Sequence, residues 1–149
     1  MLKATVLLGE SFEKANMPWF VIPWEYVLRE GKGIGDSIRV QKRQVGANIA
    51  RPSGGTYEAP ALVAAMEQFK RVASGHRVLF VLSDGETIQK HESQILADEL
   101  EDIGVRVIAI GIGIPAPDHH RIQVEIGSAD ELVDVMPKLV NEIVRKGGR

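Results

Sequence analysis

The stretch that decides the fold is Arg77-Val78-Leu79-Phe80-Val81-Leu82-Ser83-Asp84-Gly85-Glu86. Its first six residues are almost wholly apolar, which is typical of a central strand covered on both faces, because a half-exposed strand would alternate apolar with polar residues. The strand runs directly into Ser83-Asp84-Gly85, a polar turn. Ligands of parallel α/β sheets bind at the carboxyl ends of the strands, so this turn is predicted to lie in a binding region.

Helices and further strands are predicted on both sides of this stretch. Upstream, apolar residues at helical spacing predict a helix over 2–15, which Asn16 ends, and another helix around 62–73. Between them, the run Trp19-Phe20-Val21-Ile22 predicts a buried strand, and the alternation over 37–44 predicts a half-exposed edge strand antiparallel to it. Downstream, strands are predicted at 105–110 and 122–126, and helices from the apolar spacing of Leu96, Leu100, Ile103, Leu132, Met136, Leu139 and Ile143.

The ends of the last helix carry their own signals. Ser128 followed three residues later by Glu131 forms a capping-box pattern at its start. Pro137 must either kink this helix or begin a new one. The alternation of strands and helices predicts one α/β domain over 1–149, a three-layer α/β/α Rossmann-like fold with a mostly parallel sheet and one antiparallel edge strand.

Composition excludes several kinds of function. The 149 residues are long enough for a single core, and 18 Lys and Arg against 20 Asp and Glu give a net charge of -2, so no global field favours nucleic acid or anionic lipid. The absence of cysteine excludes disulfides and thiolate chemistry. No long apolar run indicates a signal peptide or membrane span, and we expect a cytoplasmic protein.

Two motifs carry a resemblance to a known family. Gly54-Gly55-Thr56, followed by a helix and by the apolar strand that ends at Asp84-Gly85, resembles the von Willebrand factor A (vWA) domain, and the similarity continues to the C-terminus. The resemblance implies that Thr56 and Asp84 help to hold a divalent cation, Mg2+, in a metal-ion-dependent adhesion site at the top of the sheet. Mg2+ prefers such oxygen ligands and keeps several waters.

The first motif of that family is missing. No Asp-x-Ser-x-Ser pentapeptide occurs, and the helix over 2–15 corresponds to the family's first helix, so the first central strand is expected to be absent and the domain N-terminally truncated, with Met1 just after the lost motif. Three outcomes are open: the two flanking strands close on each other, a second copy of the chain supplies a strand in a homodimer, or a segment present upstream in the natural protein is lacking. One carboxylate and one hydroxyl make a poor Mg2+ site, so binding is expected to be weak or absent.

The leading functional hypothesis is a non-enzymatic protein-binding module. Partner contacts are expected at the upper rim, in the loops around 53–56, 84–87 and 112–117, with the contact residues Ser53, Gly54, Gly55, Gly85, Glu86 and Thr87. The resemblance further implies an AAA+ ATPase as a partner, as in chelatase complexes. Two alternatives remain: a metal-dependent hydrolase or phosphoryl-transfer enzyme using Asp84 and His91, and a structural fragment completed by another chain.

Other candidate residues have plainer interpretations. The pair His119-His120 beside Asp118 has the donor types of a metal cluster, but it follows two prolines and has no second ligand pair at the usual spacing, so a solvated loop is predicted. His91 is predicted to be a surface histidine. The glycines of 31–36 lack the spacing of a phosphate-binding loop and predict a hairpin turn.

Overall fold

Parallel strands form the centre of the molecule. The computed structural model describes residues 2–14, 16–24, 28–29, 31–34, 36, 46–47, 57–72, 75–83 and 87–147. In this part of the chain, β1 (Arg77–Ser83), β2 (Val105–Ile112) and β3 (Gln123–Ile126) form a parallel sheet in the order β1-β2-β3. Strand β2 lies in the middle, and its residue Ile110 pairs with Leu82 on one side and Val124 on the other.

Helices cover both faces of this sheet. They are α1 (Leu2–Lys14), α2 (Ala59–Phe69), α3 (Lys90–Asp102) and α4 (Leu132–Gly147), and a 3-10 turn (Ala129–Glu131) precedes the last. One core joins α2 and α3 to the sheet through Leu62, Ala65, Phe69, Val81, Ala97, Leu100, Val105 and Val107. The other joins α1 and α4 to it through Ala4, Leu8, Ile108, Ile110, Ile126, Leu132 and Met136. The predicted α/β class, with helices on both faces, is confirmed.

The apolar run that predicts β1 serves both cores. Leu79 and Val81 belong with the α2 and α3 side, while Val78, Phe80 and Leu82 pack with the α1 and α4 side. Successive side chains of a strand point to opposite faces, so a strand covered on both sides needs apolar residues at every position. This requirement explains why the run shows no alternation.

The helix boundaries follow local signals. Asn16 has a φ of 52°, and the N–H of Met17 donates to the carbonyl of Phe12 at 3.0 Å, which closes α1 as predicted. At the 3-10 turn, the backbone N–H of Ser128 donates to the Glu131 carboxylate at 3.1 Å, as the capping-box pattern predicted. Pro137 lies inside α4 and does not begin a new helix. None of the helices in the described part combines the length and apolar composition needed to cross a bilayer.

The prediction of a buried strand over 19–22 is wrong. Val21 alone pairs, in an antiparallel bridge to Lys32 in which each backbone N–H donates to the other carbonyl at 2.9 Å. Prolines at both ends of the run limit pairing, because Pro23 has no N–H to donate. Phe20 and Ile22 are half-buried against the α2 and α3 core, so their apolar character serves packing.

Two further predictions concern neighbouring segments. The turn predicted within 31–36 is present, since the N–H of Asp36 donates to the carbonyl of Gly33 at 3.2 Å. The antiparallel edge strand predicted over 37–44 lies outside the described residues. Within the described ranges, β1 pairs with β2 alone, and the three outcomes foreseen for its other edge remain predictions.

Candidate functional site

Three separate segments of the chain meet at the carboxyl edge, which is the edge of the sheet where Ser83 of β1 lies opposite Gly111 of β2. The start of α2 reaches this region at Glu58, whose backbone N–H donates to the Thr87 hydroxyl, beyond the end of β1, at 3.4 Å. The β2–β3 loop, residues 113–122, brings in His119 and His120. Loops that converge at this edge form the usual ligand-binding region of parallel α/β sheets.

Glu58 is held by the first turn of α2. Its carbonyl accepts hydrogen bonds from the N–H groups of Ala61 at 2.9 Å and Leu62 at 3.1 Å. Pro60 lies in this first turn, where the missing N–H of a proline costs nothing. A carboxylate at a helix N-terminus also interacts favourably with the helix dipole. Glu58 is nevertheless only 1% exposed, which is unusual for a glutamate without a charged or hydrogen-bonded partner.

Both histidines supply such partners. His119 Nε2 lies 2.7 Å from Glu58 Oε2, and His120 Nε2 lies 2.6 Å from Glu58 Oε1. The exposed fractions of His119 and His120 are 9% and 3%, so the prediction of a solvated loop at this pair is wrong. Two local hydrogen bonds hold the turn that carries the histidines: the N–H of His120 donates to the carbonyl of Pro117 at 3.4 Å, and the Gln123 amide donates to the carbonyl of His120 at 2.8 Å.

The electrostatics of the cluster depend on these two imidazoles. Burial by itself raises the pKa of the Glu58 carboxyl, but the hydrogen bonds and charges of His120 and His119 together outweigh burial and hold that pKa below its usual range. The ionised carboxylate is therefore the form that the site favours. We name Glu58, His119 and His120 the EHH cluster.

Each imidazole also has a second nitrogen. The Nδ1 atoms of His119 and His120 are buried and have no hydrogen-bond partner among the described residues. The two rings pack against each other with centroids 4.3 Å apart and planes inclined at 41°. Buried polar atoms without partners are few in native proteins, so two in one cluster call for a physical reason.

The residues predicted for the rim lie mostly outside the described part. This applies to the two expected metal ligands and to five of the expected contact residues, namely Thr56, Asp84, Ser53, Gly54, Gly55, Gly85 and Glu86. Thr87 is described and only 5% exposed, and its hydroxyl anchors Glu58. His91 is exposed on α3, as predicted for a surface histidine.

Replacing Thr87 with valine tests how this anchor holds the start of α2. The valine keeps the volume but leaves the Glu58 N–H without its acceptor, so we expect the free energy of unfolding to fall by about 1 to 3 kcal/mol. Thr87→Ser keeps the hydroxyl and loses one methyl group, at a cost of about 0.8 kcal/mol. Urea unfolding of both variants measures the difference. A valine variant as stable as the serine variant would show that the hydroxyl does not anchor Glu58.

Comparisons of the chain with protein-family models, with curated proteins and with solved structures found no match.

Proposed function

We propose that the domain is a non-enzymatic protein-binding module that contacts its partner at the carboxyl edge of the sheet. The segments 53–56, 84–87 and 112–117 form the contact surface in this proposal. Its resemblance to vWA domains is the reason for including an AAA+ ATPase among the partners. A cytoplasmic location, expected from the composition of the sequence, is part of the same proposal. Mg2+ at Thr56 and Asp84 is bound weakly or not at all by this chain alone.

The observation that supports this proposal best is the way the segments at this edge are joined. Glu58 connects the start of α2 to Thr87 through its backbone and to the β2–β3 loop through its carboxylate. Buried contacts of this kind hold loops in a fixed arrangement before a partner arrives, which reduces the entropy lost on binding. A preorganised set of loops on a rigid sheet is a common platform for recognition.

An exposed apolar side chain lies beside this platform. Ile88 directly follows the buried Thr87 and is 65% exposed, so one residue fixes the loop and the next faces solvent. Aliphatic side chains at the centre of an interface contribute binding energy by leaving water. In this proposal, Ile88 is a contact residue in addition to those predicted from the sequence.

Affinity capture with matched variants tests the proposal. We expect that Ile88→Asp reduces the recovery of at least one specific partner about ten-fold, because a charge must then be buried in the interface. The control is Ile103→Asp, which places the same change at a 40% exposed isoleucine beyond the end of α3. Quantitative mass spectrometry of proteins recovered from the source cells gives the measurement, with folding of each variant checked by circular dichroism.

The outcomes separate clearly. A protein that wild type and Ile103→Asp recover but Ile88→Asp does not supports the binding module. If this protein is an AAA+ ATPase, the result also supports the partner named above. The same recovered proteins with all three baits, or none with any, would contradict a binding surface at the carboxyl edge.

A further inference from the structure

We propose that the EHH cluster binds a divalent transition-metal ion of the zinc class. This site uses other residues than Thr56 and Asp84, the ligands expected for Mg2+. The same three residues join the loops in the protein-binding proposal, but metal binding does not depend on that proposal. One ligand atom from each of Glu58, His119 and His120 lies within 4.8 Å of the other two. The convergence comes from the folded chain, because the glutamate is 61 and 62 residues away from the two histidines.

The donor atoms determine the class of ion. Two imidazole nitrogens and one carboxylate oxygen are a common ligand set for Zn2+, which leaves a fourth position for water or another ligand. Imidazole also suits other transition metals, such as Co2+ and Ni2+, whereas Mg2+ and Ca2+ prefer oxygen ligands throughout. The cluster should therefore discriminate strongly against Mg2+.

The charge of the cluster also favours a cation. The side chain of Glu58 is 1% exposed, and the side chains of His119 and His120 are 3% and 1% exposed. A buried carboxylate is costly unless a positive charge lies beside it. A divalent ion would supply that charge and would leave both imidazoles neutral.

The basic residues near the histidines form ion pairs with other acidic residues. Arg121 pairs with Asp98 at 2.8 Å and with Glu101 at 3.0 Å. Lys90 lies 3.0 Å from Asp118, whose pKa it holds below the usual range through a hydrogen bond and its charge. In these contacts both cations pair with carboxylates other than Glu58, so a metal ion at the EHH cluster would not compete with them for the same oxygens.

The present distances are those of hydrogen bonds and require a small adjustment for a metal. Ligand atoms around a tetrahedral zinc ion, with bonds of about 2.1 Å, are ~3.4 Å apart. The nitrogen-to-oxygen distances of 2.6 and 2.7 Å must therefore widen by roughly 0.7 Å, a shift within reach of side-chain rotation. The backbone need not move, since hydrogen bonds already hold the start of α2 and the turn from Pro117 to His120.

The second ring nitrogen of each histidine, Nδ1, is the atom that would carry a hydrogen when Nε2 binds the ion. Each imidazole uses Nε2 toward Glu58, while Nδ1 is buried and lacks a hydrogen-bond partner within the described part of the chain. Metal-bound histidines carry a hydrogen on the nitrogen that does not bind the ion, and this hydrogen is usually donated to water, a carbonyl or a carboxylate. Ordered water is the usual partner for buried groups of this kind, so the two Nδ1 atoms are compatible with Nε2 ligation and do not by themselves indicate an ion.

Metal titration of the chelator-treated, full chain tests the proposal. We expect saturable binding of one Zn2+ ion per chain by calorimetry, a rise in the melting temperature with Zn2+ concentration, and no comparable rise with Mg2+ at the same concentrations. His119→Ala and His120→Ala should each weaken Zn2+ binding ten-fold or more. Co2+ provides a second readout, because its visible absorption is much stronger in a four-coordinate protein site than in water. This absorption should be lost in both variants.

Matched variants control for surface binding and for loss of folding. His91→Ala removes an exposed histidine from α3 and should leave the Zn2+ affinity unchanged. Circular dichroism shows which variants remain folded, and Glu58→Gln, which keeps the shape of the side chain, offers a ligand substitution less disruptive than alanine. No saturable Zn2+ binding by wild type would overturn the proposal, and so would equal affinity in wild type and the folded His119→Ala and His120→Ala variants.

Discussion

Replacing Glu58 with alanine is expected to lower the free energy of unfolding by about 3 to 5 kcal/mol at pH 7, in buffer that contains a chelator. The reason is that the side chains of both histidines, 3% and 1% exposed, would lose the acceptor toward which they point. Removing one member of a buried charged or hydrogen-bonded group leaves its partners desolvated and unpaired, which costs more than the group contributes when intact. For a domain with a total stability of about 5 to 15 kcal/mol, this change approaches the limit of folding.

A second glutamate on the same helix provides the control. Glu67 pairs with Lys70 at 2.6 Å, but both side chains are more than half exposed. Solvent screens such a pair, so Glu67→Ala should cost less than about 1 kcal/mol. Urea unfolding followed by circular dichroism measures both variants under the same conditions. Equal losses of stability in the two variants would mean that the contacts of Glu58 with the histidines do not stabilise the fold.

The effect of Glu58 should depend on pH in a defined direction. The pKa of Glu58 is lowered in the folded protein, so the stabilisation by its carboxylate is present above the ordinary glutamate pKa, about 4.3, and is lost as the pH falls through the lower folded value. The stability difference between wild type and Glu58→Gln should therefore shrink as the pH is lowered below about 4.3.

Much of the fold could be predicted because its determinants are local in the chain. The run Arg77–Leu82 predicts a central strand, because a strand covered on both faces needs apolar residues at every position. The observed β1 covers Arg77–Ser83. The helix predicted over 2–15 forms as α1, and Asn16 ends it through its positive φ. The segment 19–22 has the composition of a strand, but composition does not say which residues pair with another strand. Within this segment only Val21 forms a β-bridge, to Lys32.

The EHH cluster could not be predicted in the same way. Periodicity and spacing report neighbours along the chain, whereas Glu58 and His119 are 61 residues apart. The local signals were weak: Glu58 begins a helix, and the histidines follow Pro115 and Pro117, a composition that is typical of solvated loops. The inward fold of the β2–β3 loop depends on contacts with the start of α2, and no pattern in either segment reveals them.

The central position of β2 leads to the second prediction of a large loss of stability. Gly111 allows the chain to turn back immediately after this strand, because a Cβ atom there would clash with the carbonyl oxygen of Ile114 and would lie 2.6 Å from the nitrogen of Ala116. The loop that carries the histidines thus begins against the end of the central strand. A loss of packing in β2 would therefore affect the positions of the EHH cluster residues as well as the core.

Truncating Ile110 to alanine is therefore expected to lower the free energy of unfolding by about 2 to 5 kcal/mol. Ile110 is 0% exposed, lies on β2 between β1 and β3, and packs in the core that joins α1 and α4 to the sheet. The control is Ile95→Ala on α3, where the isoleucine is 46% exposed and alanine has the higher helix propensity, so its effect should stay within about 0.5 kcal/mol. Chemical unfolding of both variants decides the matter: a loss below about 1 kcal/mol for Ile110→Ala is incompatible with a fully buried side chain on a central strand.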